Sequence, residues 1–198
     1  LREISFESGL KIGAFDAEDY FSDGSFYLLS TPGHTIGHIS GLARTSTNPD
    51  TFIFMGGDLC HHGGELRPSK HLPIPNEISP NPFQRRPGSG SVCPGAMCHH
   101  LLRDRGRSVT EPFFDPNLGH DIPECIRTIQ KTQEVDADEN VFFISAHDDT
   151  IEGVVDLFPK YANDWKAKGW AAKLKWAFLR DFKDAIEGST ARAVKAQL

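Results

Sequence analysis

Three short stretches of this sequence carry the residue types from which a metal centre is built. The first, TPGHTIGH at 31–38, holds two histidines four positions apart. On a helix such a pair shares one face, as in the zinc motif His-Glu-x-x-His. Pro32 and Gly33 ahead of His34, and Gly37 inside the pair, oppose a helix and favour a tight turn between two strands. Such a turn aims one imidazole into a cleft and tucks the other against the backbone, so one ligand is expected here, not two. The second stretch, MGGDLCHHGGE at 55–65, sets Asp58 after two glycines at the end of an apolar run, where glycine lets the backbone come close to something. The third, FFISAHDD at 142–149, ends a further apolar run at His147. Imidazole nitrogens and carboxylate oxygens are donors that zinc takes, which makes His34, Asp58 and His147 the candidate ligands.

Around these lie residues with a supporting or an ordinary reading. His61 and His62 follow Asp58 closely. They are expected to line the pocket or to stand in for ligands that are lacking, against the plain alternative of a polar loop. Arg67 presents the planar donor fork that meets a carboxylate bidentately, either on a substrate or on an internal acid such as Glu65. Asp148 and Asp149 adjoin His147, where a carboxylate orients a ligating imidazole or is simply solvated. CPGAMCHH at 93–100 is a poor match to the separated pairs of a zinc finger. Trp165, Trp170 and Trp176 read as packing, with a substrate contact as the alternative for Trp165.

The elements that must hold these residues are short. SFYLLST (25–31), HISGLART (38–45), TFIFMGGD (51–58) and NVFFISAHDD (140–149) read as strands divided by turn residues. The continuous apolarity of TFIFM predicts a strand covered on both faces. HDIPECIRTIQKTQEV (120–135) reads as a helix, with Asp121 and Glu124 at capping-box spacing and Ile122, Cys125, Ile126 and Ile129 on one face. WAAKLKWAFLRDFKDAIEG (170–188) reads as a second helix, with Leu174, Phe178, Phe182 and Ile186 recurring every four residues and Gly188 placed to end it. Residues 68–118 are rich in proline and read as a long irregular loop, a surface excursion or a substrate lid, with 95–104 as its best helical segment. Strands mixed with helices predict a layered α/β or α+β sandwich, one domain over residues 1–198.

Composition excludes several classes. The 198 residues carry a net charge of −6 and are 38% hydrophobic, enough for a core. Lysine and arginine are scattered among acids, so a basic nucleic-acid surface is not expected. The four cysteines show no paired framework, which fits a reducing, cytoplasmic compartment. No apolar run approaches a membrane span.

Taken in order, TPGHTIGH, FMGGDLCHHGGELRPS (54–69) and FFISAHDD resemble the later part of metallo-β-lactamase-fold hydrolases. With FPKYANDWKAKGW (158–170), the sequence looks most like a fungal branch of that superfamily, and the resemblance covers nearly the whole chain. It implies an αββα sandwich with metal at the strand ends. His34 would bind one ion, Asp58 would bridge two as the catalytic carboxylate, His147 would bind the second, and His38 would stay hydrogen-bonded in its turn. Two zinc ions, or iron or manganese in their place, about 3.5–4 Å apart, would hold a hydroxide that attacks a lactone, lactam, thioester or similar ester of small size.

The family also carries an earlier His-x-His-x-Asp-His motif, and the nine histidines here include no pair separated by one residue. The resemblance therefore implies the C-terminal portion of a longer protein, without the N-terminal part of its sandwich. One histidine per ion and a shared carboxylate fall short of the three protein ligands usual for zinc, so weak metal binding and little activity are expected of this chain alone. An uncovered sheet face is expected to self-associate or meet a partner. Two rival readings are an iron-dependent oxidoreductase on the same fold, because iron takes the same donors, and a non-catalytic, degenerate member that has lost its site.

Overall fold

Alternating and continuous apolar runs set up the strands, and the computed structural model, which describes residues 3–83 and 93–185, joins them into one sheet. The strands are β1 (Lys11–Ile12), β2 (Phe15–Asp19), β3 (Phe26–Ser30), β4 (Ile39–Ser46), β5 (Thr51–Met55) and, much later in the chain, β8 (Val141–Ile144). Their order in the sheet is β1-β2-β3-β4-β5-β8. Neighbours are antiparallel up to β5, and β8 runs parallel to β5 with Phe54 opposite Phe143. A parallel pair needs a crossover, and here the path includes α3 (Ile122–Asp136).

Period-two alternation sends successive side chains to opposite faces. Phe15, Ala17, Leu29, Leu42, Phe54, Val141 and Phe143 share one face with Ile129 of α3 and with Leu59 and Leu66. Phe54 meets Phe15 and Phe143 edge-on, with ring centroids 5.9 and 5.4 Å away. Burying a side chain of this kind contributes roughly 1.5–3 kcal/mol. Ile53 and Phe142 point to the other face, under Trp165, Trp170 and Leu174. The TFIFM strand is thus covered on both sides over β5 and β8. Farther along, Ile39 of β4 remains exposed.

Two expectations need correction. The 68–118 stretch is irregular in path, but it has a core of its own. It follows α1 (Gly63–Leu66) and contains the strand pair β6 (Glu77–Ile78) and β7 (Cys93–Pro94), and α2 (Ala96–Asp104), the helix expected at 95–104. Ile74, Ile78, Cys98, Leu102 and Phe113 pack there against Phe178, Leu179 and Phe182. The 170–188 stretch is not one helix. It forms α4 (Trp170–Leu174) and then a separate helical segment, Ala177–Phe182, of tighter winding. The Arg67 guanidinium takes the carbonyl of Lys175 at 2.8 Å, while the Lys175 ammonium donates to the carbonyl of Asp136 at 2.8 Å. The first of these bonds occupies the Lys175 carbonyl, an acceptor that a continuing helix would use. The four-residue stripe serves two different cores, Leu174 in one and Phe178 and Phe182 in another. Ile186 and Gly188 lie outside the described residues.

Trp165 is fully buried against Phe142, and its indole N–H donates to Thr45 Oγ1 at 2.9 Å, so it is packing and not a substrate contact. All four cysteines are free thiols and buried. No helix among the described residues is long and apolar enough to cross a membrane.

Candidate metal centre

The turn at 31–38 connects β3 to β4 and is clamped onto the start of α3. The amides of Asp121 and His120 donate to the carbonyls of Gly33 and His34, each at 2.9 Å, and Thr128 Oγ1 donates to the carbonyl of Pro32 at 2.6 Å. Gly33 sits at φ +135, and a Cβ there would fall 2.6 Å from the backbone nitrogen of Cys125. No other residue fits that approach.

The clamp separates the roles of the two histidines. His38 Nδ1 lies 3.0 Å from the carbonyl oxygen of Thr31, and its Nε2 lies 3.1 Å from the backbone nitrogen of Asp58. A carbonyl only accepts and an amide N–H only donates, so the ring is the neutral tautomer with its proton on Nδ1. Burial holds this imidazole below its ordinary range, outweighing the Thr31 bond that raises it. His34 Nδ1, by contrast, is buried with no hydrogen-bond partner among the described residues.

Asp58 is set by the junction between β5 and β8. The Gly56 amide donates to the carbonyl of Ile144 at 2.8 Å, and the Ala146 amide to that of Gly57 at 2.9 Å. Ser40 Oγ donates to the carbonyl of Gly56 at 2.9 Å and meets Thr31 Oγ1 at 2.9 Å, tying the ends of β3, β4 and β5 together. Gly57 takes φ +59, and a Cβ there would crowd His38 Nε2 at 3.1 Å. The Asp58 carboxylate then faces two imidazoles, with Oδ1 3.6 Å from His61 Nε2 and 3.1 Å from His147 Nε2. His147 is itself at φ +63, a rare conformation for a residue with a Cβ.

One donor atom from each of His34, Asp58 and His61 lies within 4.8 Å of the other two. His147 meets Asp58 from the solvent side, its side chain 69% exposed. The four groups therefore converge, with His61 inside the tightest triplet. Glu65 holds His61 in place by accepting its backbone N–H at 2.9 Å. Sequence reasoning singled out Glu65 only as a partner for Arg67. Its signal was a buried acid four residues after a histidine, on the one-turn helix α1.

Four residues expected near the site make their bonds elsewhere. His62 follows His61 in extended backbone, where neighbouring side chains point apart. It caps α1 by accepting the Gly64 amide at 2.9 Å and donates to Asp181 at 3.1 Å, among Phe114, Phe178 and Phe182. Arg67 is buried in a bidentate pair with Asp136, at 2.7 and 2.6 Å. It cannot meet a substrate there. Asp148 accepts the amide and hydroxyl of Thr150, at 3.0 and 2.5 Å, and caps the turn Asp149–Ile151; Asp149 pairs with Arg180. The His147 ring instead meets Asp58.

The triplet fits a metal on two counts. Its donors are imidazole and carboxylate, and the buried Nδ1 of His34 has no hydrogen-bond partner among the described residues.

No protein-family model matches the chain. It is 44% identical over 200 residues to the gamma-lactamase FDB1 of Fusarium pseudograminearum, which covers 97% of this chain and 47% of that protein. It is 44% identical over 189 residues to the metallo-hydrolase mfmC of Annulohypoxylon moriforme, covering 94% of this chain and 48% of that one. It is also 47% identical over 193 residues to the cytochrome P450 monooxygenase mpaDE of Penicillium roqueforti, covering 96% of this chain but 20% of that protein. The chain thus spans between a fifth and about half of the length of these relatives. Alignment of nearly this whole chain with about half of a fungal gamma-lactamase and of a fungal metallo-hydrolase supports the metallo-β-lactamase superfamily as its family.

Proposed function

We propose that this chain supplies a metal-binding part of a hydrolase that opens a small lactam, lactone, thioester or similar acyl bond. The observation that carries this reading is the convergence of His34, Asp58 and His61 within 4.8 Å, in a chain whose relatives include a gamma-lactamase and a metallo-hydrolase. His34, Asp58 and His61 would hold one zinc ion, reaching the three protein ligands that catalytic zinc sites use. His61 thereby offsets part of the ligand shortage created by the lack of a His-x-His-x-Asp-His motif. His147, across Asp58 from solvent, would serve a second ion with that carboxylate as the bridge. Bound divalent ions supply electrophilic polarisation of a carbonyl and activation of water at neutral pH. The chain's own contribution is orientation. His38 keeps the Asp58 backbone in register, Glu65 does the same for His61, and the clamp on α3 fixes His34.

Zinc content and hydrolysis test this together. The chain purified without chelator should retain zinc, and Asp58→Asn should lose it; a panel of small lactams and lactones should be cleaved in a chelator-sensitive way. Zinc binding equal in wild type and Asp58→Asn would overturn the site.

A second reading has one observation in its favour. Two imidazoles and one carboxylate are also the donor set of non-haem iron oxygenases. Iron retained in preference to zinc, with an absorbing centre, would select it. The exposed Ile39 and Ile36 beside the half-covered sheet support self-association of the chain through that face. Sedimentation as a monomer at every concentration would count against this last point.

A further inference from the structure

A cavity of about 520 Å³ lies between α3 and residues 107–116, and none of His34, Asp58, His61 or His147 lines it. Its size falls within the range of about 300–1,000 Å³ usual for small-molecule sites. The apolar part of its wall is Ile126 and Ile129 of α3 with Pro112 and Pro116 opposite. The polar part is more telling. Arg107 is already committed to Asp115 through two bonds, at 3.2 and 2.8 Å. Glu111 accepts the amide of Ser108 at 2.7 Å, and Glu65 accepts that of His61 at 2.9 Å. Each acid of the wall is therefore engaged by a donor of the protein. Lys70 lines the same cavity and makes no ion pair with any described residue. Gln130 and Thr110 add uncharged hydrogen-bonding groups beside it.

The wall thus combines apolar side chains, neutral polar groups, three acids already bonded within the protein (Glu65, Glu111 and Asp115) and one ammonium, Lys70, without an ion pair among the described residues. We propose that this cavity is a second small-molecule site, separate from the metal centre, for a carboxylic acid with an apolar body. Lys70 takes the carboxylate as a charge-assisted contact, and Ile126 and Ile129 receive the apolar part. The proposal does not depend on the hydrolase reading, because no ligand of the metal centre borders the cavity.

The test is calorimetric titration of the metal-free 198-residue chain with phenylbutyrate, phenylbutanol and phenylbutylamine. Phenylbutyrate should bind saturably and about tenfold more tightly than the alcohol, the worth of one charge-assisted bond. Lys70→Glu should erase that preference while leaving the thermal melt unchanged, since Lys70 is exposed. Ile126→Ser should weaken acid and alcohol alike, and Asp58→Asn should change neither. The proposal falls if no ligand binds saturably, if the amine binds best, if Lys70→Glu binds the acid as wild type does, or if Asp58→Asn abolishes binding. The last outcome would locate the acid at the metal centre instead.

Discussion

Thr31 and the Asp58 amide occupy both nitrogens of His38, whereas His34, four residues earlier, keeps a buried Nδ1 without a partner among the described residues. The difference between two identical side chains comes from backbone groups that face one and not the other. The same holds for His61 and His62, which extended backbone sends in opposite directions, one to Asp58 and one to Asp181. These contacts make the residue-scale prediction. His61→Ala should abolish tight zinc binding by the chain, while His62→Ala should leave zinc affinity unchanged. Glu65→Gln, which weakens only the support of His61, should lower zinc affinity by about 10–100-fold, the usual cost of losing an outer partner. Competition with a chromophoric chelator measures all three, and equal affinity in His61→Ala would remove His61 from the proposed ligand set. The candidate positions themselves were legible as residue types at the ends of apolar runs. That His61 belongs with them was not, because nothing local separates it from His62.

At the scale of elements, the site depends on strand ends meeting one helix start. Gly33→Ala would force a Cβ to within 2.6 Å of the Cys125 backbone at a φ of +135. It should destabilise the fold by about 3 kcal/mol, from strained backbone together with overlap, read as a lowered urea midpoint. A loss under about 0.5 kcal/mol, the range of ordinary surface substitutions, would mean that the turn is not held against α3. The loop leading into Trp165 offers a pH test. Asp156 accepts from Lys168 and Lys160, at 2.7 and 2.9 Å, and these bonds bring its carboxyl down from 3.8 to about 2. A depressed folded-state pKa stabilises above the unfolded value and ceases to do so as pH falls through the folded one. The difference in urea midpoint between wild type and Asp156→Asn should therefore be constant above about pH 5, shrink as pH falls toward 2 and vanish only below it, near pH 1. A difference that stays at its full size down to pH 2 would show that the pairs with Lys160 and Lys168 are not its cause.

For the whole molecule, the Arg67–Asp136 pair joins the chain just after the site loop to the end of α3 and, through Lys175, to the break after α4. Both partners are buried. Removing one strands the other charge, so Asp136→Asn should cost about 3–5 kcal/mol. Replacing both with apolar groups, as in Arg67→Met with Asp136→Leu, should recover much of that loss in a thermal melt. No recovery in the double variant would mean that the Arg67 bond to the Lys175 carbonyl matters more than the charge pair. The packing of Ile74, Ile78, Leu102 and Phe113 against Phe178 and Phe182 ties the same regions together. Variants there should therefore unfold the molecule as a unit.

By itself the sequence determined β3, β4, β5 and β8, though not β1 and β2, together with the α3 helix and its Asp121 cap and the placing of His34, Asp58 and His147 after apolar runs. Those features follow from short-range patterning: apolar runs, turn residues and a capping side chain act within a few positions of themselves. Only the tertiary structure decided that Arg67 answers Asp136, 69 residues away, instead of a substrate. The same is true of the break in the 170–188 pattern, which serves two cores, and of the choice of His61 over His62 for the cluster. Each is settled by a partner distant in sequence. Local periodicity and spacing carry no information about which distant donor, acceptor or cavity a side chain will meet.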